Sequence, residues 1–247
     1  MNEFKSEKFG TCKLCLREDV LRDSHVISEF LYTSLYDEKH RFHVLEAGEM
    51  YSSFEQKGYR ERLLCQACET KLSKWETYAR ALLTGGTQLR YRREGTITWV
   101  DGIDYSRFKL FQMSILWRAA VAAGEFFSKV TLGPRHSTRL REMLLAEDTG
   151  EPWEYGCLTI GIHRDGNIVP VIVQPTPFKI MDAKAMRFTF GGYFWAYRIA
   201  GHTPLDRAFL EAILQQSGRL AITFQPLETA GFYHDYVRNH LRKEKGP

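Results

Sequence analysis

Cys12-Lys13-Leu14-Cys15 and, further along, Cys65-Gln66-Ala67-Cys68 are the residues whose type and spacing point most directly to chemistry. Each C-x-x-C presents two thiolates on one tight turn, and two such turns complete the four-sulfur tetrahedron that a structural zinc ion prefers. Disulfides or four buried free thiols are the competing readings. Both pairs sit among polar, loop-like residues, and a chain with no signal peptide is expected to stay in a reducing compartment, where disulfides do not persist. Between the two pairs lies Ser24-His25-Val26-Ile27, whose imidazole titrates near neutral pH.

The order of these pieces constrains the elements that position them. A knuckle, a long strand-like insert and then Leu63-Leu64-Cys65 running into a helical pattern from Thr70 to Thr84 is the order of a treble clef. The second pair then stands at a helix start, where the dipole favours thiolates. Over residues 10 to 84 the chain resembles the HNH endonucleases, the zinc-stapled branch of the ββα-metal nucleases. Their pattern is C-x-x-C, Asp-His followed by an apolar residue, an Asn, then Leu-Cys-x-x-Cys with His or Asn next and a Lys soon after.

The resemblance implies that Cys12, Cys15, Cys65 and Cys68 hold structural zinc and that His25 is the general base that activates a water. Glu69 takes the place of the residue that ligates a catalytic magnesium or manganese ion, and Lys71 falls near the usual Lys. Ser24 stands where the family has a metal-binding Asp, leaving Asp23 beside it as the substitute ligand, and no Asn occurs between Asn2 and Asn167. The activity implied is hydrolysis of phosphodiester bonds in nucleic acid, DNA first. The same resemblance suggests a bacterial anti-phage effector with a regulatory protein partner or a homodimeric form. The alternative is a catalytically silent, zinc-stabilised module that binds nucleic acid or protein.

Composition sets wider bounds. With 247 residues, 44% of them apolar, the chain is long enough for substantial cores, and 34 Lys and Arg against 30 Asp and Glu give a mild basic excess that allows a polyanionic partner. The longest apolar stretch, Leu110 to Phe127, is interrupted by Gln112, Arg118 and Glu125, so no membrane span is expected and a cytoplasmic protein is. Lys57, Arg60 and Arg62 lie close to the second knuckle, where they can contact phosphate or form a solvated edge. Arg90, Arg92 and Arg93 make the most basic short segment and offer a second flank for a nucleic-acid backbone.

The expected fold class is α+β: a zinc-stapled treble-clef module over residues 1–86, then an α+β domain over 87–247 with long helices and a mainly antiparallel sheet. In the first part the pattern predicts a helix from Ser28 to Glu38, a small meander from Arg41 to Leu64 and a helix from Thr70 to Leu83. A hairpin over 88–100 follows, then a nearly all-apolar helix from Asp104 to Ser128 in which Arg118 requires a carboxylate partner. A further helix begins at Gly133-Pro134. Strands are expected at 158–162, 168–173, 186–190, 193–199 and 220–224, with a tight turn at Arg164-Asp165-Gly166-Asn167 and helices at 204–216 and 233–245. The role of 87–247 is recognition, regulation or oligomerisation, and Cys157 reads as a buried structural thiol.

Overall fold

The computed structural model describes residues 8–44, 53–202 and 206–233. Three strands frame the cysteines: β1 (Lys8–Thr11), β2 (Glu18–His25) and β5 (Arg60–Cys65), antiparallel in the order β1-β2-β5. A bulge between Arg22 and Asp23 resets the register so that His25 lies opposite Arg60. Strand β5 runs without a loop into helix α1 (Gln66–Leu83), which buries Cys68, Leu72, Trp75, Ala79 and Leu82 along one stripe. The expected meander divides: β3 (Phe42–Val44) and β4 (Ser53–Glu55) pair with each other, while β5 joins β2.

The segment after His25 is two 3-10 turns, Glu29–Leu31 and Thr33–Leu35, in place of the expected helix. Asp37 explains where the path bends, because its carboxylate accepts the backbone N–H groups of Lys39 and Arg41 and closes a local turn that competes with helix continuation. The buried Tyr32 anchors this stretch against Phe42, their ring centroids 5.1 Å apart.

Beyond α1 the chain builds one large sheet. Its strands are β6 (Arg90–Glu94), β7 (Ile97–Asp101), β8 (Cys157–Arg164), β10 (Val173–Ile180), β11 (Ala183–Phe190), β12 (Tyr193–Arg198) and β13 (Arg219–Pro226). They run in the order β10-β11-β12-β8-β13-β7-β6, and the short β9 (Asn167–Ile168) pairs with β8. Every pairing is antiparallel except β13 with β8. The turn at Asp165-Gly166 lies where the sequence placed it, with both residues at positive φ. The strand expected at 168–173 does not form as such: Pro170 removes a donor, and pairing resumes only at Val173. Strand β10 carries Pro175 and Pro177 and stands at the sheet edge, where missing N–H groups are tolerated.

Helix α2 (Tyr105–Val121) is buried continuously from Phe108 to Ala119 and forms the spine expected of it. It stops short of Ser128 because Glu61 on β5 captures the N–H groups of Ala123 and Gly124, each at 2.8 Å, and turns the chain out of the helix. Helix α3 (Pro134–Ala146) starts at a proline, and α4 (Arg207–Ala212), capped by Asp206, ends before the 216 expected of it, because the Gln215 N–H donates to the Arg219 carbonyl at 2.8 Å and turns the chain into β13. The helix expected at 233–245 lies almost entirely outside the described residues. One continuous apolar cluster runs from Cys12 to Leu220, so residues on both sides of position 86 share a core.

Candidate functional site

The first knuckle follows β1. Cys12 N–H donates to the Arg17 carbonyl and Leu16 N–H to the Cys12 carbonyl, each at 2.9 Å, and this closes a turn that places Cys12 and Cys15 side by side. Leu16 completes it at φ 62°, in the left-handed region. The second knuckle joins β5 to α1, with Cys65 as helix cap and Cys68 in the first turn. The two are tied together by Lys13 N–H donating to the Leu63 carbonyl at 2.9 Å and by Cys65 N–H donating to Cys12 Sγ at 3.4 Å. Helix α3 braces the assembly from outside: Arg141 donates to the Leu14 carbonyl, while Lys71 is taken up by the Leu145 carbonyl and Glu147.

All four Sγ atoms lie within 4.8 Å of one another, and Cys15 Sγ stands 3.8 Å from Cys65 Sγ. A tetrahedral zinc with sulfurs about 2.3 Å away sets an S···S edge of about 3.8 Å. The donor set therefore fits, and these four residues form a site that could hold a structural metal such as zinc. Burial raises the Cys12 and Cys68 thiols; burial opposes ionisation of Cys15 too, but hydrogen bonding to Arg17 outweighs it and draws that thiol down to about 6. A bound cation stabilises all four as thiolates and removes the conflict.

Directly behind the cysteines lies a dense polar cluster. His25 ends β2, and Glu69 follows Cys68 on α1. Ser24, fully buried, directs its hydroxyl to the Arg22 carbonyl at 3.4 Å and stands near enough to Glu69 to favour its carboxylate. One α-helical repeat along the same face, Glu76 pairs with Arg118 of α2 at 2.6 Å and accepts from the Ser28 hydroxyl at 2.6 Å. Arg118, 1% exposed, also donates to the His25 carbonyl at 2.6 Å, so the carboxylate partner required by the sequence is Glu76. On the outer side Glu29 Oε2 stands 3.0 Å from His25 Nε2, out of hydrogen-bonding alignment, and accepts from Arg60 at 2.8 Å.

These neighbours move the two titratable groups in opposite directions. Burial lowers the His25 pKa, and Arg60 lowers it further, against the pull of Glu29 and Glu76. Burial raises the Glu69 carboxyl, offset in part by Ser24 and Arg118. His25 is accordingly neutral at neutral pH, the state in which an imidazole accepts a proton.

Asp23 lies toward the outside of β2, its side chain 36% exposed. Neighbouring strand residues point to opposite faces, so where Ser24 turns inward to Glu69, Asp23 faces Arg60 at 3.9 Å. Among the described residues the four cysteines are the one group of three or more His, Cys, Asp or Glu side chains whose ligand atoms converge. A three-donor protein cage for magnesium or manganese is thus not assembled from Asp23, His25 and Glu69.

The basic residues separate by role. Arg62 donates to the Leu21 carbonyl at 2.7 Å and braces the strand pair, Arg60 is held by Glu29, and Lys57 is exposed. On the hairpin, Arg92 pairs with Glu94 and Arg90 lies beside Asp101, whereas Arg93 has no carboxylate partner among the described residues. Sequence reading passed over Ser28 and Glu76. Glu76 had a legible signal, a carboxylate seven positions after Glu69 on the same helix face; Ser28 had none. A cavity of about 950 Å³ lies away from the cysteines, between the start of α3 and the end of β12. Among the described residues no helix is long and apolar enough to cross a membrane. No protein-family model, curated protein or solved structure matches the chain.

Proposed function

We propose that the chain is an HNH-type endonuclease that hydrolyses phosphodiester bonds in nucleic acid, with zinc on Cys12, Cys15, Cys65 and Cys68 as the staple of a treble-clef frame and His25 as the general base. One observation carries this reading. A base and an acid with opposed pKa shifts, His25 and Glu69, stand on the strand end and first helical turn that the cysteines lock together, and both sense Arg60, Glu76 and Arg118. A scaffold alone has no need of so many desolvated charges in one place, and perturbed groups of this kind concentrate at reactive sites.

In this reading His25 takes the proton from the attacking water, and Arg118 keeps the ring in place through the His25 carbonyl. Arg60 binds substrate phosphate, which frees Glu29 from its contact with the guanidinium and uncovers His25 Nε2. A magnesium or manganese ion, implied by the HNH resemblance, would have Glu69 as its protein carboxylate and neutralise charge building on the phosphate. An anti-phage role with a regulatory partner or a second copy, in the cytoplasm, extends the same proposal.

A second reading is the catalytically silent binding module. The buried Ser24 in place of an Asp favours it, because a hydroxyl beside Glu69 offers a divalent ion no second carboxylate. Plasmid cleavage with added magnesium or manganese separates the two. His25→Ala is expected to lower the rate about 10²- to 10⁴-fold with zinc content unchanged. Because the His25 pKa is lowered, the acid limb of the wild-type rate profile should fall below the ordinary histidine value of 6.5. Equal cleavage by wild type and His25→Ala removes His25 as the general base, and no cleavage by either with DNA still bound decides for the binding module.

A further inference from the structure

At the far end of α1 from the cysteines, the large sheet and the helix enclose a pocket of about 180 Å³. Strand register shows how it is made. Arg93, Thr98, Ile222, Thr159 and Trp195 are successive partners across β6, β7, β13, β8 and β12, so they form one lateral row on one face. A second row places Tyr91 beside Val100 and Leu220. A third contains Phe224, Gly161 and Tyr193, and the missing side chain at Gly161 is what admits the Phe224 ring: a Cβ there would overlap it. The roof is Leu82 and Leu83 of α1.

Three features of this pocket await a ligand. Tyr91 and Phe224 are 66% and 38% exposed, large aromatic surfaces left in water at its walls. Thr159 lines the floor, is 4% exposed, and its Oγ1 is buried with no hydrogen-bond partner, a state that costs free energy until something polar arrives. Arg93 ends the central row as a cation that bonds the Gly95 carbonyl and has no carboxylate among the described residues. A flat ring fits the walls, a hydrogen-bonding edge fits Thr159, and an attached anion fits Arg93.

We propose that this pocket takes one unstacked nucleobase of a single strand, with its ring against Tyr91 and Phe224, its edge on Thr159 and an adjoining phosphate on Arg93. The ligand class rests on the nucleic-acid reading above. Glu69 and Leu82, at opposite ends of α1, are separated by about 20 Å at 1.5 Å per residue, a span that a few nucleotides of an extended strand cover. The pocket would hold the strand at a fixed distance from His25, and stacking of this kind tolerates any base.

The test is fluorescence anisotropy of a labelled short oligothymidylate in magnesium-free buffer, with an otherwise identical oligomer carrying abasic sites. Tyr91→Ala is expected to weaken binding about 5- to 100-fold, and the abasic oligomer to lose that difference. Thr159→Val is the sharper variant. Removing an unpartnered hydroxyl while keeping the shape should leave thermal stability unchanged or higher while affinity falls, and a merely structural threonine would not give that pair of signs. Equal affinity of wild type and Tyr91→Ala, equal affinity for intact and abasic oligomers, or no binding by wild type overturns the proposal. Plasmid cleavage by wild type and His25→Ala is read separately: a failed pocket leaves His25-dependent cleavage in place, and a failed nuclease reading leaves the anisotropy result standing.

Discussion

The two ends of helix α1 meet opposite chemistry. At its start, Cys65, Cys68 and Glu69 stand among sulfurs, carboxylates and guanidinium groups, many of them partnered: Glu76 with Arg118 and Ser28, Glu29 with Arg60. At its end, Leu82 and Leu83 cover an aromatic pocket whose buried Thr159 hydroxyl has no partner among the described residues and whose central row ends in Arg93, held there by the Gly95 carbonyl and by no carboxylate among those residues. Charge density costs desolvation and is retained only where partners repay it, so the first end is stiff and specified. Apolar walls tolerate vacancy, so the second can remain open for a ligand. One helix thus joins a site built by pairing to a site built by leaving a group unpaired.

The largest effect expected from breaking this contrast comes at the metal end. Structural zinc in small modules contributes an apparent 10–16 kcal/mol, about the whole stability of an ordinary domain, so Cys68→Ser should release the metal and melt β1, β2 and β5. Metal analysis with amide hydrogen exchange checks it: wild type is expected to carry one zinc per chain. In the variant, β2 amides lose protection while those of β11 and β12 retain it. Zinc near zero in wild type with the fold intact would remove the staple, and loss of protection everywhere would show that the shared core couples both ends into one unit.

The next effect concerns Arg118, whose guanidinium connects α2 to the His25 carbonyl, to Ser28 and to Glu76. Arg118→Leu leaves Glu76, its side chain 24% exposed, without its cation and is expected to cost about 2–3 kcal/mol, less than the roughly 3–5 kcal/mol for a fully buried pair. Adding Glu76→Gln should return part of that, because the uncompensated charge goes with it. Urea unfolding of the two single variants and the double variant gives the coupling directly. Additive losses would mean that Arg118 acts through packing alone.

How much of each end was legible follows from how it is built. The cysteines were readable because both pairs are local, and a C-x-x-C needs only a tight turn to bring its sulfurs together. Helix α1, the basic hairpin and the Asp165-Gly166 turn were readable for the same reason: each is fixed within a few residues of itself. His25 and Glu69 stood out because each adjoins a local signal, but the burial of Ser24 did not, since it depends on a bulge between Arg22 and Asp23 that pairing with β5 creates. The pocket was not legible at all. Its floor is assembled from five strands whose order is set by long-range pairing, including the single parallel contact of β13 with β8, and no window of sequence contains Arg93, Ile222 and Thr159 together. Strand β10 was missed because Pro175 and Pro177 argue against a strand unless it is known to lie at an edge.

The smallest expected effect is at Leu16, where the metal end carries a local conflict that the aromatic end avoids by using glycine at Gly191 and Gly192. Leu16 holds φ 62° with its side chain 56% exposed, so it bears a left-handed backbone without the compensation of full burial. That conformation costs a non-glycine residue about 1–2 kcal/mol, while glycine gives back roughly 0.5–1 kcal/mol through the larger entropy of its unfolded chain. Leu16→Gly is therefore expected to stabilise by about 0.5–1 kcal/mol, a rise of about 1–4 °C in the melting midpoint for a chain of this size. Leu16→Val should shift the midpoint the other way, because a branched Cβ fits this backbone less well. Thermal melts of both variants, each with zinc content measured, check the pair. A Leu16→Gly protein less stable than wild type would mean that the leucine side chain contributes more by packing on its own chain than its left-handed backbone costs.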